Sequence, residues 1–180
     1  MRSNAILNLA AAGMLAVTMM AAPGSIQAQG GTVATSGANT ILKPADMQKL
    51  MPASVFYRGQ SAPTQLRNSG GVKFADGLYV LATLVDTSGY ATDVQSKYQA
   101  YFIVEAPIKL GGENLPAGVY GAGFVGDKFV VTDVGAHDVL TVNSGEDVAI
   151  KRPTPLQVIA DPSGSGFRLY AGRHYVGFGR

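Results

Sequence analysis

Two histidines, His137 beside Asp138 and His174 beside Arg173, are the only imidazoles in the chain, and there is no cysteine. A zinc-type metal centre needs three or four convergent ligands, and no spaced motif here supplies them. A serine nucleophile needs a sharp Gly-x-Ser-x-Gly elbow and a base; Ser163-Gly164-Ser165-Gly166 is instead a loop. His137 is therefore assigned to its own turn, and His174, alternating with Tyr175, to a structural or solvated position. Asp86, closing an apolar run and followed by Thr87-Ser88-Gly89, reads as a turn-forming aspartate at the end of a buried strand. Arg58, Arg67, Arg168 and Arg173 adjoin aromatic or apolar strand residues, and at one mouth of a barrel they could grip a carboxylate bidentately. Arg168, between Phe167 and Leu169, fits an outward place on an edge strand equally well. None of these residues demands a cofactor or a metal.

The segment Leu84-Val85-Asp86-Thr87-Ser88-Gly89 resembles the apolar-apolar-Asp-Thr-Gly signature of aspartic proteases, in which two aspartates share one proton. Ser88 stands where that signature has its first glycine, and the chain holds no second copy. The likeness would therefore imply a homodimeric hydrolase, which is the third of the functions considered below.

Positioning of these groups falls to strands and turns. Gly118 to Val142 carries two strand-length apolar runs flanking Gly126-Asp127-Lys128 and a third run after Gly135-Ala136-His137-Asp138, a strong hairpin signal. Leu78 to Val85 and Tyr98 to Val104 are apolar on both alternating faces, so both faces should be covered. Asn68-Ser69-Gly70-Gly71 reads as a turn. Pro44 to Met51, with Met47, Leu50 and Met51 spaced by three and four and Pro52 as a stop, is the one helix expected, closing an end of a sheet or barrel. About nine or ten strands spaced roughly 8–12 residues apart indicate an all-β single domain over residues 41–180. A closed or nearly closed antiparallel barrel, lipocalin-like in architecture only, is favoured over a β-sandwich.

Alternation places Val119, Gly121, Gly123 and Val125 on one face of their strand and Tyr120, Ala122 and Phe124 on the other. The two glycines leave a groove, which either receives an internal ring at a curved sheet or takes a ligand. In the second case Tyr98, Tyr101, Phe102 and Tyr120 would line a site for an apolar or planar molecule.

With 14 Lys+Arg against 12 Asp+Glu and a net charge of +2, the charges are scattered, and no basic stripe exists for a nucleic acid or an anionic membrane. Only 14% of residues are charged, which points to apolar surface covered by a partner, a ligand or the cell envelope. Residues 1–28 open with Arg2, run through an apolar middle and reach small residues up to Ala28, the pattern of a secretory signal peptide. Its cleavage would leave no integral membrane span. Residues 29–40 are small and polar and read as a flexible leader.

Val-Phe-Tyr-Arg-Gly-Gln-Ser-Ala-Pro, Leu-Val-Asp-Thr-Ser-Gly-Tyr and Leu-Pro-Ala-Gly-Val-Tyr-Gly-Ala-Gly-Phe resemble segments of secreted bacterial proteins without an assigned activity. That resemblance implies export and supplies no active residue. The expected function is a secreted or periplasmic, non-catalytic binder of a small apolar or amphipathic molecule. The alternative is a structural or assembly protein of the cell envelope whose second apolar face meets another subunit.

Overall fold

The structure, a computed structural model, describes residues 37–180; the expected signal peptide and the leader up to residue 36 lie outside the described residues. In chain order the elements are β1 (Thr40–Leu42), α1 (Pro44–Met47), β2 (Ser54–Tyr57), β3 (Gln60–Lys73), β4 (Tyr79–Val85), α2 (Thr92–Lys97) and β5 (Ala100–Val104). They continue with β6 (Ile108–Leu110), β7 (Glu113–Leu115), β8 (Gly118–Val125), β9 (Lys128–Thr132) and β10 (Asp138–Asn143). The last are β11 (Gly145–Glu146), β12 (Gln157–Ala160), β13 (Phe167–Ala171) and β14 (His174–Gly179).

The domain is mostly β, and all its pairings are antiparallel. One sheet has the order β1-β3-β4-β5-β8-β9-β10, with β2 attached to β3; the other has the order β12-β13-β14-β6-β7, with β11 attached to β14. Both orders are open at their ends, which corrects the expectation of a closed barrel. The reason lies in how the faces are covered. Alternation sends Val80, Ala82, Phe102, Val104, Ala122 and Val131 into a cluster shared with Leu110, Val158, Leu169, Val176 and Phe178 of the second sheet. The opposite face of the first sheet is covered by the chain itself. There Val55 and Tyr57 of β2 and Val94 of α2 meet Val85, Tyr90 and Tyr98, while Met47 and Met51 meet Leu81.

Two sequence expectations need correcting at this level. Asn68–Gly71 is not a turn but the middle of β3, where the register shifts between Gln65 and Ser69. Its glycines answer to close approach: a Cβ on Gly70 would lie 3.0 Å from the Val158 nitrogen, and one on Gly71 would lie 2.5 Å from the Val80 oxygen. The structure also has a second helix, α2. Only Val94 of α2 is buried, so it shows no repeating apolar spacing for a sequence pattern to reveal. As for α1, Met47 and Met51 are buried and Leu50 is exposed, so the segment lies on a sheet face rather than plugging an end.

Among the described residues no helix is long and apolar enough to cross a membrane. Nor do any three His, Asp or Glu side chains there gather to hold a metal ion.

Candidate functional site

The central hairpin forms through a two-residue Gly126-Asp127 turn, with Val125 paired to Lys128. β8 lies between β5 and β9, which brings Gly121 opposite both Tyr101 and Thr132. The outer side of Gly121 is filled. A Cβ there would stand 2.6 Å from Tyr98 Cδ2, 2.8 Å from Thr132 Oγ1 and 2.9 Å from Tyr57 Cε2. Tyr57 and Tyr98 stack with ring centroids 3.6 Å apart, and Tyr90 meets both edge-on. The Tyr57 hydroxyl lies 2.7 Å from Thr132 Oγ1, and the Thr132 hydroxyl reaches the Gly121 carbonyl at 3.3 Å. Tyr90 donates its hydroxyl to the carbonyls of Tyr57 and Gln60. Burial raises the pKa values of Tyr57, Tyr90 and Tyr98 above the usual phenol value, so all three stay neutral.

Gly123 is likewise covered. Its missing side chain leaves room for the Lys97 carbonyl, 2.5 Å from a notional Cβ, and for the Gln99 amide. That amide donates to the Phe124 carbonyl at 2.9 Å and accepts from the Phe124 N–H at 3.1 Å.

The aromatic side chains expected to share one site divide between two faces. Tyr98 precedes β5 as the residue capping α2, where its non-extended backbone breaks the alternation that would have set it beside Phe102. Tyr98 and half-buried Tyr101 therefore belong to the outer face. Phe102 and Tyr120, directly paired across β5 and β8, belong to the inner core. Tyr120 donates its hydroxyl to the Pro116 carbonyl at 3.0 Å.

The arginines do not gather. Arg58 occupies the two-residue turn between β2 and β3 with φ of +44° and lies 3.7 Å from Asp93. Arg168 donates Nε to Asp161 at 2.6 Å and lies over the Tyr175 ring at 4.2 Å. Arg173 donates to the Ile150 carbonyl. The Ser163 side chain and then Arg168 hold the Asp161 carboxyl down at about 2. Among the other groups considered, Asp86 is an exposed turn-former whose Oδ1 accepts from the Ser88 N–H; hydrogen bonds from the Ser88 side chain and amide lower its pKa. His137 pairs with Asp133 at 2.9 Å, and Asp138 pairs with Lys97 at 2.8 Å.

The open space lies elsewhere, where β14 meets the β6–β7 hairpin. Ile108 and Leu110 point into the core, so alternation turns Lys109 outward, opposite Gly179 of β14 and Asn114 of β7. In β14 the inward Val176 and Phe178 alternate with Tyr175, Gly177 and Gly179. Two clefts of about 390 and 640 Å³ adjoin Lys109 and Arg180. The smaller runs over Gly177 and beside Phe167 and Phe178; the larger runs along Pro107, Ile108, Leu115 and Pro116. Among the described residues no atom lies within 4 Å of where the Gly177 Cβ would be, and its φ is not in the left-handed region. Neither crowding nor backbone conformation accounts for that glycine. Its sequence signal was the Tyr175-Val176-Gly177-Phe178-Gly179 alternation, which has the same form as Gly121-Ala122-Gly123.

No family model matches the chain, and neither a curated protein nor a solved structure is significantly similar to it.

Proposed function

We propose that the chain is an exported, non-catalytic protein that binds a small amphipathic molecule in the cleft between β14 and the β6–β7 hairpin. The observation that carries this reading is the unfilled position at Gly177, a strand glycine whose removal of a side chain benefits nothing within the fold. Exposed Pro107 and Pro116 in the adjoining larger space, beside a cation at Lys109, give the amphipathic character. Export draws on the signal-peptide pattern of residues 1–28 and on the resemblance to secreted bacterial proteins. We further read the two sheets as the layers of a sandwich, because side chains from both form one core cluster.

Native mass spectrometry of the chain exported to a bacterial periplasm tests the function. The expected result is a monomer carrying a discrete small-molecule mass, absent from Gly177→Val. That variant fills the cleft floor and should unfold at the wild-type temperature. A wild type free of any small molecule, or a ligand retained in Gly177→Val, would remove the cleft from consideration.

An envelope-assembly role is the second reading, favoured by Phe56, which is 69% exposed on β2. Val134, 56% exposed, lies nearby through the bond from the Arg58 N–H to its carbonyl. A bare, stable oligomer in the same spectrum would move the assignment there.

A further inference from the structure

We propose that the ligand of this cleft is an anion with an apolar tail, its head group held by Lys109 Nζ. The inference rests on the cleft being the ligand site and adds the chemical class of what enters it. Among the described residues the side-chain charges around the cleft are compensated in pairs, with one exception. Arg180 is bonded to Asp76 and lies over the Phe74 ring at 5.2 Å. Asp161 is bonded to Arg168. Among the described residues Lys109 has no carboxylate within ion-pair reach; its one side-chain partner is the Asn114 amide oxygen at 3.3 Å. A lone ammonium between two concave spaces attracts an anion, and the glycine floor lets a ligand approach the backbone beside it.

Placement of the tail follows from the two spaces that meet at Lys109. The larger is bounded by the exposed Pro107 and Pro116 and suits hydrocarbon. The smaller has Ser165 and Asp161 on its wall. Asp161 is an ionised acceptor already committed to Arg168 and to the Ser163 N–H, so it repels a second anion and leaves Lys109 as the anchoring group. A head group at Lys109 with its chain running along Pro107 and Pro116 satisfies both constraints. A neutral alcohol of equal length would gain only the second.

Calorimetric titration of the full chain with decanoate, decanol and inorganic phosphate, the chains kept below their aggregation limits, tests this. Decanoate should bind about fivefold more tightly than decanol, the scale of a solvent-accessible ion pair. In Lys109→Gln the preference should fall below about twofold, and about 0.5 M salt should shrink it in the wild type, while decanol binding stays unchanged. Pro107→Trp, whose ring fills the larger space, should weaken both chains alike. Equal binding of decanoate and decanol, indifferent to Lys109→Gln yet lost in Pro107→Trp, would overturn the anion while leaving the cleft as the site. Binding of both chains untouched by Pro107→Trp would overturn the tail's placement and the anion together. Phosphate binding without either chain would overturn the apolar tail.

Discussion

Gly121 and Gly177 are both strand glycines outside the left-handed region, and they differ in what stands where a side chain would be. At Gly121 two tyrosine rings and a threonine hydroxyl fill the space to within 3 Å of a notional Cβ. At Gly177 the described residues leave the same space empty. The first glycine is required by the fold: it lets the Tyr57–Tyr98 stack sit on β8 and lets the β2–β3 hairpin cover the outer face of the sheet. The second is required by nothing in the described chain. A bare strand position thus points to a ligand only when the chain does not fill it, and Gly121, the more conspicuous in sequence, is the one that it fills.

The widest separation between the two should appear on adding a single methyl group. Gly121→Ala forces that methyl against Tyr98 Cδ2, Thr132 Oγ1 and Tyr57 Cε2, all inside a packed cluster. A loss of about 3 kcal/mol is expected, the upper end of what overpacking costs. Gly177→Ala meets no atom and reduces the freedom of the unfolded chain, so it should be neutral or stabilise by roughly 0.5 kcal/mol. Urea unfolding of both variants reads the difference. Equal losses would mean that Gly177 is as crowded as Gly121, and the comparison would fail.

Much of the fold was legible because it rests on local signals. The hairpin at Gly126-Asp127 and the strands around Leu78–Val85 and Tyr98–Val104 follow from turn residues and apolar runs. What covers a doubly apolar strand is not local. The cover here comes from β2, α1 and α2, whose own patterns are short: Val55 and Tyr57 in one, Met47 in another, Val94 in the third. Sequence therefore left the second face to be assigned to a barrel interior, a ligand or a subunit. The Lys109 cleft was illegible for a related reason. Lys109, Gly177 and Arg180 are brought together by β6 pairing with β14, a contact between strands far apart in the chain. Alternation alone could not have said that Gly177 faces open space and Gly121 does not.

A smaller effect probes the border of the open patch. Arg168 is the direct cross-strand partner of Gly177, and its pairing with Asp161 and Tyr175 turns its guanidinium away from the glycine. Asp161→Asn should cost about 1–2 kcal/mol at neutral pH, the scale of a charge-assisted hydrogen bond in a partly shielded place. The sign with pH follows from the depressed pKa of Asp161, about 2 in the fold against roughly 3.9 in an unfolded chain. Its contribution is complete above about pH 5 and is lost progressively as the pH falls through about 4 and then 2. The gap between wild type and Asp161→Asn in thermal unfolding should therefore close over that interval. A gap that stays constant down to pH 2 would show that the ion pair does not hold Arg168 off the glycine patch.

The smallest expected change tests whether the filled patch is sealed. Tyr98 is fully buried, and its hydroxyl has no hydrogen-bond partner among the described residues. A buried hydroxyl without a partner opposes folding, whereas the ring beneath it contributes the stack on Tyr57 and the edge contact with Tyr90. Tyr98→Phe keeps the ring and discards the hydroxyl, leaving a void no larger than one oxygen atom. The variant should gain up to about 1 kcal/mol, read as a higher urea midpoint with an unchanged slope. A loss of more than about 1 kcal/mol would mean that the hydroxyl does hydrogen-bond in solution, through water entering the tyrosine cluster. Water there would make the space over Gly121 accessible after all, and the distinction from Gly177 would become one of degree.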